Sequence, residues 1–287
     1  MKMSAKILGV VVPALLVVSV LVWSAVFSSD HRGQLTVSFL DVGQGSAVYI
    51  AAPSGRKVLV DGGPDSSVLR KLSALSPWWS RSLDVVVSTS PDKDSSTGLV
   101  DILRRYRVAL ILRSNVRGTD SASRALLDAI DTAANRGAMV VSAKRGQILD
   151  LGGGAYLEIL SPDRDTSGVS ARDGCVVMRL TYGATSFMLP CDAPRALENY
   201  LAYLDADSLH ADVLEAGSGG AKTSSSPLFI GYVSPDHVVY SRDCKYNIPE
   251  ETSDTFTRFG SEALDTCANG TITFTSDGRS VSIRTRK

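Results

Sequence analysis

The chain opens with a block in which no polar position interrupts the hydrophobic run. Residues 7–27, ILGVVVPALLVVSVLVWSAVF, carry no charge, and about 20 apolar residues span the hydrocarbon core of a bilayer. Pro13 is tolerated in such a helix, and Trp23 suits the interfacial belt at its far end. Lys2 and Lys6 precede the block and Asp30 follows it, so the positive-inside rule places the N-terminus in the cytoplasm. The alternative is a cleaved signal peptide, whose apolar region runs about 7–15 residues and ends in a small-x-small cleavage site. This block is longer and lacks a clean site of that kind. The expected division is a cytoplasmic N-terminus (1–6), a transmembrane anchor (7–27), a linker (28–33) and an extracytoplasmic domain (34–287).

Past the linker the pattern changes to short alternating runs. Residues 35–40 (LTVSFL), 47–51 and 57–60 read as strands, with Pro53-Ser54-Gly55 turning between the last two. Helix and strand patterns then take turns: helix 66–74, strand 83–87, helix 96–106, strand 109–112, amphipathic helix 121–135 and strand 139–142, with Gly137 as the helix stop. A strand over 156–160 and a hairpin (176–180 and 186–189) restart the β structure. A helix (193–203), a strand (211–214), a glycine-serine loop with a short helix, a strand (237–241), a helix (253–259) and strands 271–274 and 280–283 close the chain. Strand-rich blocks thus alternate with βα blocks. Two sheets, each covered by helices on one face only, satisfy this order: an α+β, four-layer αββα sandwich.

Charge adds a limit. The formal net charge is +0, which argues against a surface built wholly for nucleic acid but leaves room for a local basic patch. Arg104-Arg105-Tyr106-Arg107, with Arg113 and Arg117 beyond, is a candidate phosphate contact. Arginines at a solvated helix end are the plainer reading. Four cysteines, Cys175, Cys191, Cys244 and Cys267, form no C-x-x-C pair, which argues against a structural zinc site and, outside the cytoplasm, for disulfides.

Several separated segments carry a resemblance. Phe39-Leu40-Asp41-Val42-Gly43-Gln44-Gly45 and Leu59-Val60-Asp61-Gly62-Gly63 come first. Ala143-Lys144-Arg145-Gly146-Gln147, Ser161-Pro162-Asp163, Leu180-Thr181-Tyr182-Gly183, Asp192-Ala193-Pro194 and Lys222-Thr223-Ser224-Ser225-Ser226 follow. Together they resemble the metallo-β-lactamase superfamily, most nearly the C-terminal hydrolase domain of ComEC-type competence proteins, the DNA-internalisation channels. The resemblance covers the chain after Gly33 and implies the αββα fold. It also implies hydrolysis at one or two metal ions, usually zinc, held by histidines and carboxylates on loops where the sheets meet.

The ligand positions depart from that pattern. The His-x-(His/Asp)-x-Asp-His run reads Ser90-Pro91-Asp92-Lys93-Asp94-Ser95, with Ser90 and Ser95 where the terminal histidines belong. The Gly-His-His-Gly-Ser-Lys segment reads Gly217-Ser218-Gly219-Gly220-Ala221-Lys222, and the last histidine region reads Tyr246-Asn247-Ile248-Pro249-Glu250. Serine and glycine do not replace imidazole as zinc donors. His31, His210 and His237 fall on no motif position. Asp92, Asp94 and Asp192 survive, the last matching the bridging carboxylate. They read as helix caps, Asp92 or Asp94 for the helix from Ser96 and Asp192 for that from Ala193. Alternatively they pair with Lys93 and Lys222, or hold Mg²⁺ or Mn²⁺, which prefer oxygen ligands. The 217–226 loop reads as a collapsed remnant of the ligand loop; a phosphate-cradling loop is the alternative.

The cysteines fit the same fold. Cys175 and Cys191 flank the hairpin turn, and Cys244 and Cys267 flank strands that the resemblance places together. Bridges Cys175–Cys191 and Cys244–Cys267 are therefore expected, stapling the former metal loops. The resulting expectation is a membrane-anchored pseudoenzyme that binds zinc no longer and acts as a binding or scaffold module beside an envelope or DNA-uptake protein. The rivals are a Mg²⁺- or Mn²⁺-dependent phosphodiesterase or nuclease using the three aspartates, and a DNA-binding module.

Overall fold

Alternation gives each central strand two apolar faces, and the two faces have different partners. Val85 and Val87 point into one core and Val86 into another; Phe187 and Leu189 likewise oppose Met188. A strand with both faces apolar must lie inside a layered structure. In the computed structural model, which describes residues 11–20, 33–75 and 80–287, fifteen strands form two sheets.

The first sheet contains β1 (Leu35–Phe39), β2 (Val48–Ala51), β3 (Lys57–Val60), β4 (Ser82–Ser88), β5 (Arg107–Arg113), β6 (Met139–Ser142), β14 (Thr271–Ser276) and β15 (Val281–Arg286), in the order β15-β14-β1-β2-β3-β4-β5-β6. The second contains β7 (Ile148–Gly152), β8 (Ala155–Ser161), β9 (Val177–Tyr182), β10 (Thr185–Leu189), β11 (Val213–Glu215), β12 (His237–Tyr240) and β13 (Glu262–Asp265), in the order β13-β12-β11-β10-β9-β8-β7. Strands β3 to β6 run parallel, as do β10 to β13. Hairpin partners such as β9 and β10 run antiparallel.

The sheets pack face to face over a core that includes Val37, Phe39, Ile50, Ile159, Leu180 and Phe187. Phe274 stands edge-on to Phe39 at 5.8 Å and to Phe187 at 6.0 Å between ring centroids, a geometry that aromatic quadrupoles favour. Helices α2 (Ser67–Leu75), α3 (Lys93–Arg105) and α4 (Ser121–Asn135) cover the outer face of the first sheet through Val68, Leu99, Ile102 and Ile130. Helices α5 (Arg195–Asp205), α6 (Pro227–Val233) and α7 (Glu250–Arg258) cover the second through Leu201, Phe229 and Phe256. The four αββα layers are those the pattern predicts.

The chain divides into two units, residues 1–33 and 34–287. In the first, residues 11–20 form a helix (α1) whose Leu15, Leu16, Val17 and Val20 side chains are exposed. The rest of the 7–27 block, most of the 28–33 linker and His31 lie outside the described residues. Among the described residues no helix is long and apolar enough to cross a membrane.

Four elements depart from expectation. β7 has no counterpart in the expected order, because as an edge strand it exposes Ile148 and carries Asp150 at a register shift. β13 and the short α8 (Thr266–Asn269) are likewise absent from the expected order; the polar sequence hides an edge strand, and Asp265 caps α8 through the Cys267 amide. α3 begins at Lys93 rather than at Ser96, since the Asp92 carbonyl already accepts the Ser95 and Ser96 amides.

Candidate functional site

The loops after β1, β3, β4, β10, β11 and β12 meet at one end of the sandwich. The Ser46 and Ser241 hydroxyls both donate to Glu215 Oε1, at 2.6 and 2.7 Å, joining the β1–β2 loop and the residue after β12 to the end of β11. The Asp61 carboxylate accepts the Thr89 amide at 2.9 Å and its hydroxyl at 2.6 Å, tying β3 to β4. Asp61 adopts a left-handed backbone (φ 57°), which turns the chain into Gly62-Gly63 beneath α3. Ser218 N–H donates to Asp192 Oδ1 at 3.1 Å, joining the 217–226 loop to the residue after the second Cys of the hairpin. Gln44 Oε1 accepts the Asp243 amide at 3.4 Å, and Lys71 pairs with Asp41 at 2.8 Å.

Burial governs the electrostatics. Loss of solvation pushes up the carboxyls of Asp61, Glu215 and Asp192. For Asp61 the Thr89 hydrogen bonds oppose the shift while Glu215 and Asp192 add to it. Glu215 is held down in part by its two serines and pushed up further by Asp192. Arg172 is the cation that favours the Asp192 carboxylate, and Asp92 works against it. Lys93 and Lys222, expected to neutralise this cluster, are both exposed and pair with none of these carboxylates among the described contacts.

The expected caps are corrected in part. Asp92 does occupy the N-cap position of α3, but its side chain makes no capping bond. Asp94 is exposed in the first turn, where its charge suits the helix dipole. Asp192 does not cap α5; Pro194 takes that position, and the Asp192 carboxylate turns to Ser218 instead.

The positions where the resemblance places histidines are tightly packed. Ser90 is buried and its hydroxyl accepts the Asp92 amide at 3.1 Å. Ser95 is buried, and its carbonyl accepts the Gly62 amide at 2.8 Å. Gly217–Gly220 forms a single 3₁₀ turn in which Ser218 and Gly219 are left-handed (φ 52° and 61°). A Cβ on Gly220 would stand 2.6 Å from the Tyr240 ring, and one on Gly219 2.8 Å from the Ser241 carbonyl. Ile248 packs on the outer apolar layer beside this turn. The turn is thus closed onto the end of β12 through Gly219 and Gly220.

These residues do not fit a zinc centre. Among the described residues no imidazole reaches the site: His210 lies before β11 and His237 opens β12, at the opposite ends of those strands. Among the described residues no group of three or more His, Cys, Asp or Glu side chains is placed to hold a metal ion, so Asp92, Asp94 and Asp192 do not form a joint ligand set here. Both expected disulfides are formed, Cys175–Cys191 with Cα atoms 6.5 Å apart and Cys244–Cys267 at 5.2 Å. Each staples one of the loops at this end. Glu215, Ser46, Ser241 and Thr89 went unmarked in the sequence; the one signal for Glu215 is a lone acid ending an apolar strand beside Val213 and Leu214.

No family model matches the chain. ComE operon protein 3 of Bacillus subtilis is 23% identical over a 258-residue alignment that covers 83% of this chain and 32% of that protein. The chain therefore spans about a third of that relative's length. Among solved structures, the metallo-β-lactamase fold protein YhfI from Bacillus subtilis matches with a TM-score of 0.53 at 14% identity, over 80% of this chain and 95% of YhfI. Igni18, a metallo hydrolase from Ignicoccus hospitalis, matches with a TM-score of 0.55 at 14% identity, over 83% and 98%. Zn²⁺-bound PqqB from Methylobacterium extorquens matches with a TM-score of 0.52 at 11% identity, over 81% and 97%. On fold and sequence together, the chain is a metallo-β-lactamase-fold protein related to ComE operon protein 3.

Proposed function

We propose that this chain is a membrane-anchored pseudoenzyme: a ComEC-like metallo-β-lactamase fold that serves as a binding or scaffold module, beside an envelope or DNA-uptake protein, without metal-dependent turnover. The observation that carries the proposal is the closed 217–220 turn, in which Gly219, one of the two positions where the resemblance places histidine, abuts the Ser241 carbonyl and its neighbour Gly220 abuts Tyr240 of β12. The two disulfides hold the same loops covalently, taking over the structural part of a metal's role. The anchor reading draws on the uncharged 7–27 run and on α1, whose apolar side chains are exposed around the helix; a helix apolar on all sides calls for a non-aqueous or protein surround.

One observation favours the rival hydrolase. Asp192 lies near enough to Asp92 for the Asp92 charge to push its carboxyl up, and a hard cation would relieve that repulsion. Metal analysis of the purified chain, together with phosphodiesterase and nuclease assays in Mg²⁺ and Mn²⁺, decides between the two. The pseudoenzyme reading expects substoichiometric metal and no turnover. A stoichiometric cation with turnover abolished by Asp94→Ala would replace it.

A further inference from the structure

The two disulfides sit in different surroundings. Cys175 is fully buried and Cys191 half-buried, and both belong to the apolar layer that holds Val177, Met188 and Ala193. Cys244 is exposed and Cys267 half-buried, and neither belongs to an apolar cluster among the described residues. Thiol–disulfide exchange begins when a thiolate reaches one of the two sulfurs, so access decides which bridge a reductant opens. Burial of Cys175 shields the first bridge, and the exposed Cys244 lays the second open to attack.

Cys244 stands in the 241–249 segment between β12 and α7, which lies as a strap against the loops of the candidate site. The Ser241 hydroxyl is on Glu215. A Cβ on Gly219 would stand 2.8 Å from the Ser241 carbonyl and 3.4 Å from the Arg242 Cβ, and one on Gly220 3.7 Å from Ile248. The Asp243 amide donates to Gln44 at 3.4 Å. The strap thus touches the 41–46 loop, the end of β11 and the 217–220 turn. Its two ends have their own anchors. Arg242 pairs with Asp265, its Nε donating at 2.8 Å, and Ile248 packs on the outer apolar layer. Between them Lys245, Tyr246 and Asn247 are exposed. The Lys245 and Tyr246 amides bond back to Asp243 within the tip, and the Tyr246 carbonyl accepts from Arg242. The long Gln44 contact aside, the bridge to Cys267 of α8 is what fastens the 243–247 tip to the rest of the domain.

We propose that Cys244–Cys267 is a redox latch: an external dithiol opens it while Cys175–Cys191 stays closed, and its opening frees the 243–247 tip from the loops of the site. In the first step a thiolate of the dithiol attacks the Cys244 sulfur. The Cys244–Cys267 bond breaks, its electron pair leaves on Cys267, and that sulfur takes up a proton. The second thiol of the dithiol then displaces Cys244 from the mixed disulfide. Two electrons and two protons pass to the protein, which gains two thiols, and the dithiol leaves as its own disulfide. The inference goes beyond the scaffold reading and depends neither on the anchor nor on the absence of a metal. It gives the loop end of the sandwich two states, strapped when oxidised and loosened when reduced.

The test equilibrates the full chain with graded ratios of reduced to oxidised dithiothreitol. Each sample is quenched by alkylation and mapped by peptide mass, and a parallel sample receives a short pulse of trypsin. The expected result is half-alkylation of Cys244 and Cys267 at a reducing ratio about tenfold or more below that needed for Cys175 and Cys191. Cleavage after Lys245 should rise over the same ratios, with the circular dichroism of the domain unchanged. C244S/C267S should be cleaved after Lys245 without any dithiol. If that variant does not fold, the titration of the wild-type chain decides alone. Reduction of both bridges over the same ratios, or of Cys175–Cys191 first, overturns the inference. So does alkylation of Cys244 and Cys267 with cleavage after Lys245 unchanged, which would make the bridge a plain staple on a strap held by its other contacts.

Discussion

Gly220→Ala probes the closed loop most sharply. Gly220 has φ +87°, and an added Cβ would meet Tyr240 ring carbons at 2.6 and 2.7 Å. The ring has little room to yield: Tyr240 is 2% exposed and packs edge-on against Phe256 at 5.9 Å. A left-handed backbone costs a residue bearing a Cβ about 1–2 kcal/mol, and overpacking a well-filled core costs about 1–3 kcal/mol more. The expected loss is therefore about 2–5 kcal/mol. Gly43→Ala is the matched control, with φ +83° and nothing within 4 Å of its added Cβ; it is expected to lose only the backbone part, about 1–2 kcal/mol. Urea unfolding followed by circular dichroism gives both values. Equal losses at the two positions would refute the reasoning, because they would mean that the 217–220 turn swings off Tyr240 freely and that the old ligand loop still opens.

Other outcomes follow from the buried acids and the bridges. Burial pushes the Glu198 carboxyl up to about 7 from an ordinary 4.5, although the Ser225 and Ser226 amides favour its charge. A folded-state value above the unfolded one stabilises fully below pH ~4.5 and is lost as pH rises through ~7, about 3 kcal/mol in all. Unfolding free energies between pH 4.5 and 8 should therefore fall more steeply in the wild type than in Glu198→Gln; parallel slopes would remove Glu198 as the source. C244S/C267S opens a loop with a sequence separation of 23 and is expected to lower stability by about 3 kcal/mol, read as a shift in urea midpoint under non-reducing conditions. Asp61→Ala leaves the buried Thr89 amide and hydroxyl without their acceptor and is expected to cost about 2–4 kcal/mol; a loss under about 0.5 kcal/mol would show that water takes over both bonds.

The fold was legible where local chemistry and burial agree. α4 and β6 lie where the pattern puts them, because Asp120 caps the helix through the Ser123 amide and Gly137 takes the left-handed stop. Edge strands β7 and β13 were not legible, since one of their faces meets solvent and the alternation fades. At the site, motif positions such as Asp61 and Gln44 were readable because several residues in a row carry the signal. Glu215, Ser46 and Ser241 were not, because three isolated residues from distant segments become a cluster only when β1, β11 and β12 come together. The role of Asp192 was misread for a related reason. Its position before a helix suggests a cap, but a proline two residues later takes that place and frees the carboxylate for the Ser218 amide.

The absence of a working metal centre is the central claim, and a metal titration of the purified chain tests it most directly. Zn²⁺, Mn²⁺ and Mg²⁺ are added in turn, with bound metal per chain and phosphodiester turnover measured on the same samples. The account predicts no stoichiometric binding of any of the three and no turnover above the uncatalysed rate. One metal per chain with turnover that Asp94→Ala or Asp192→Ala abolishes would contradict it.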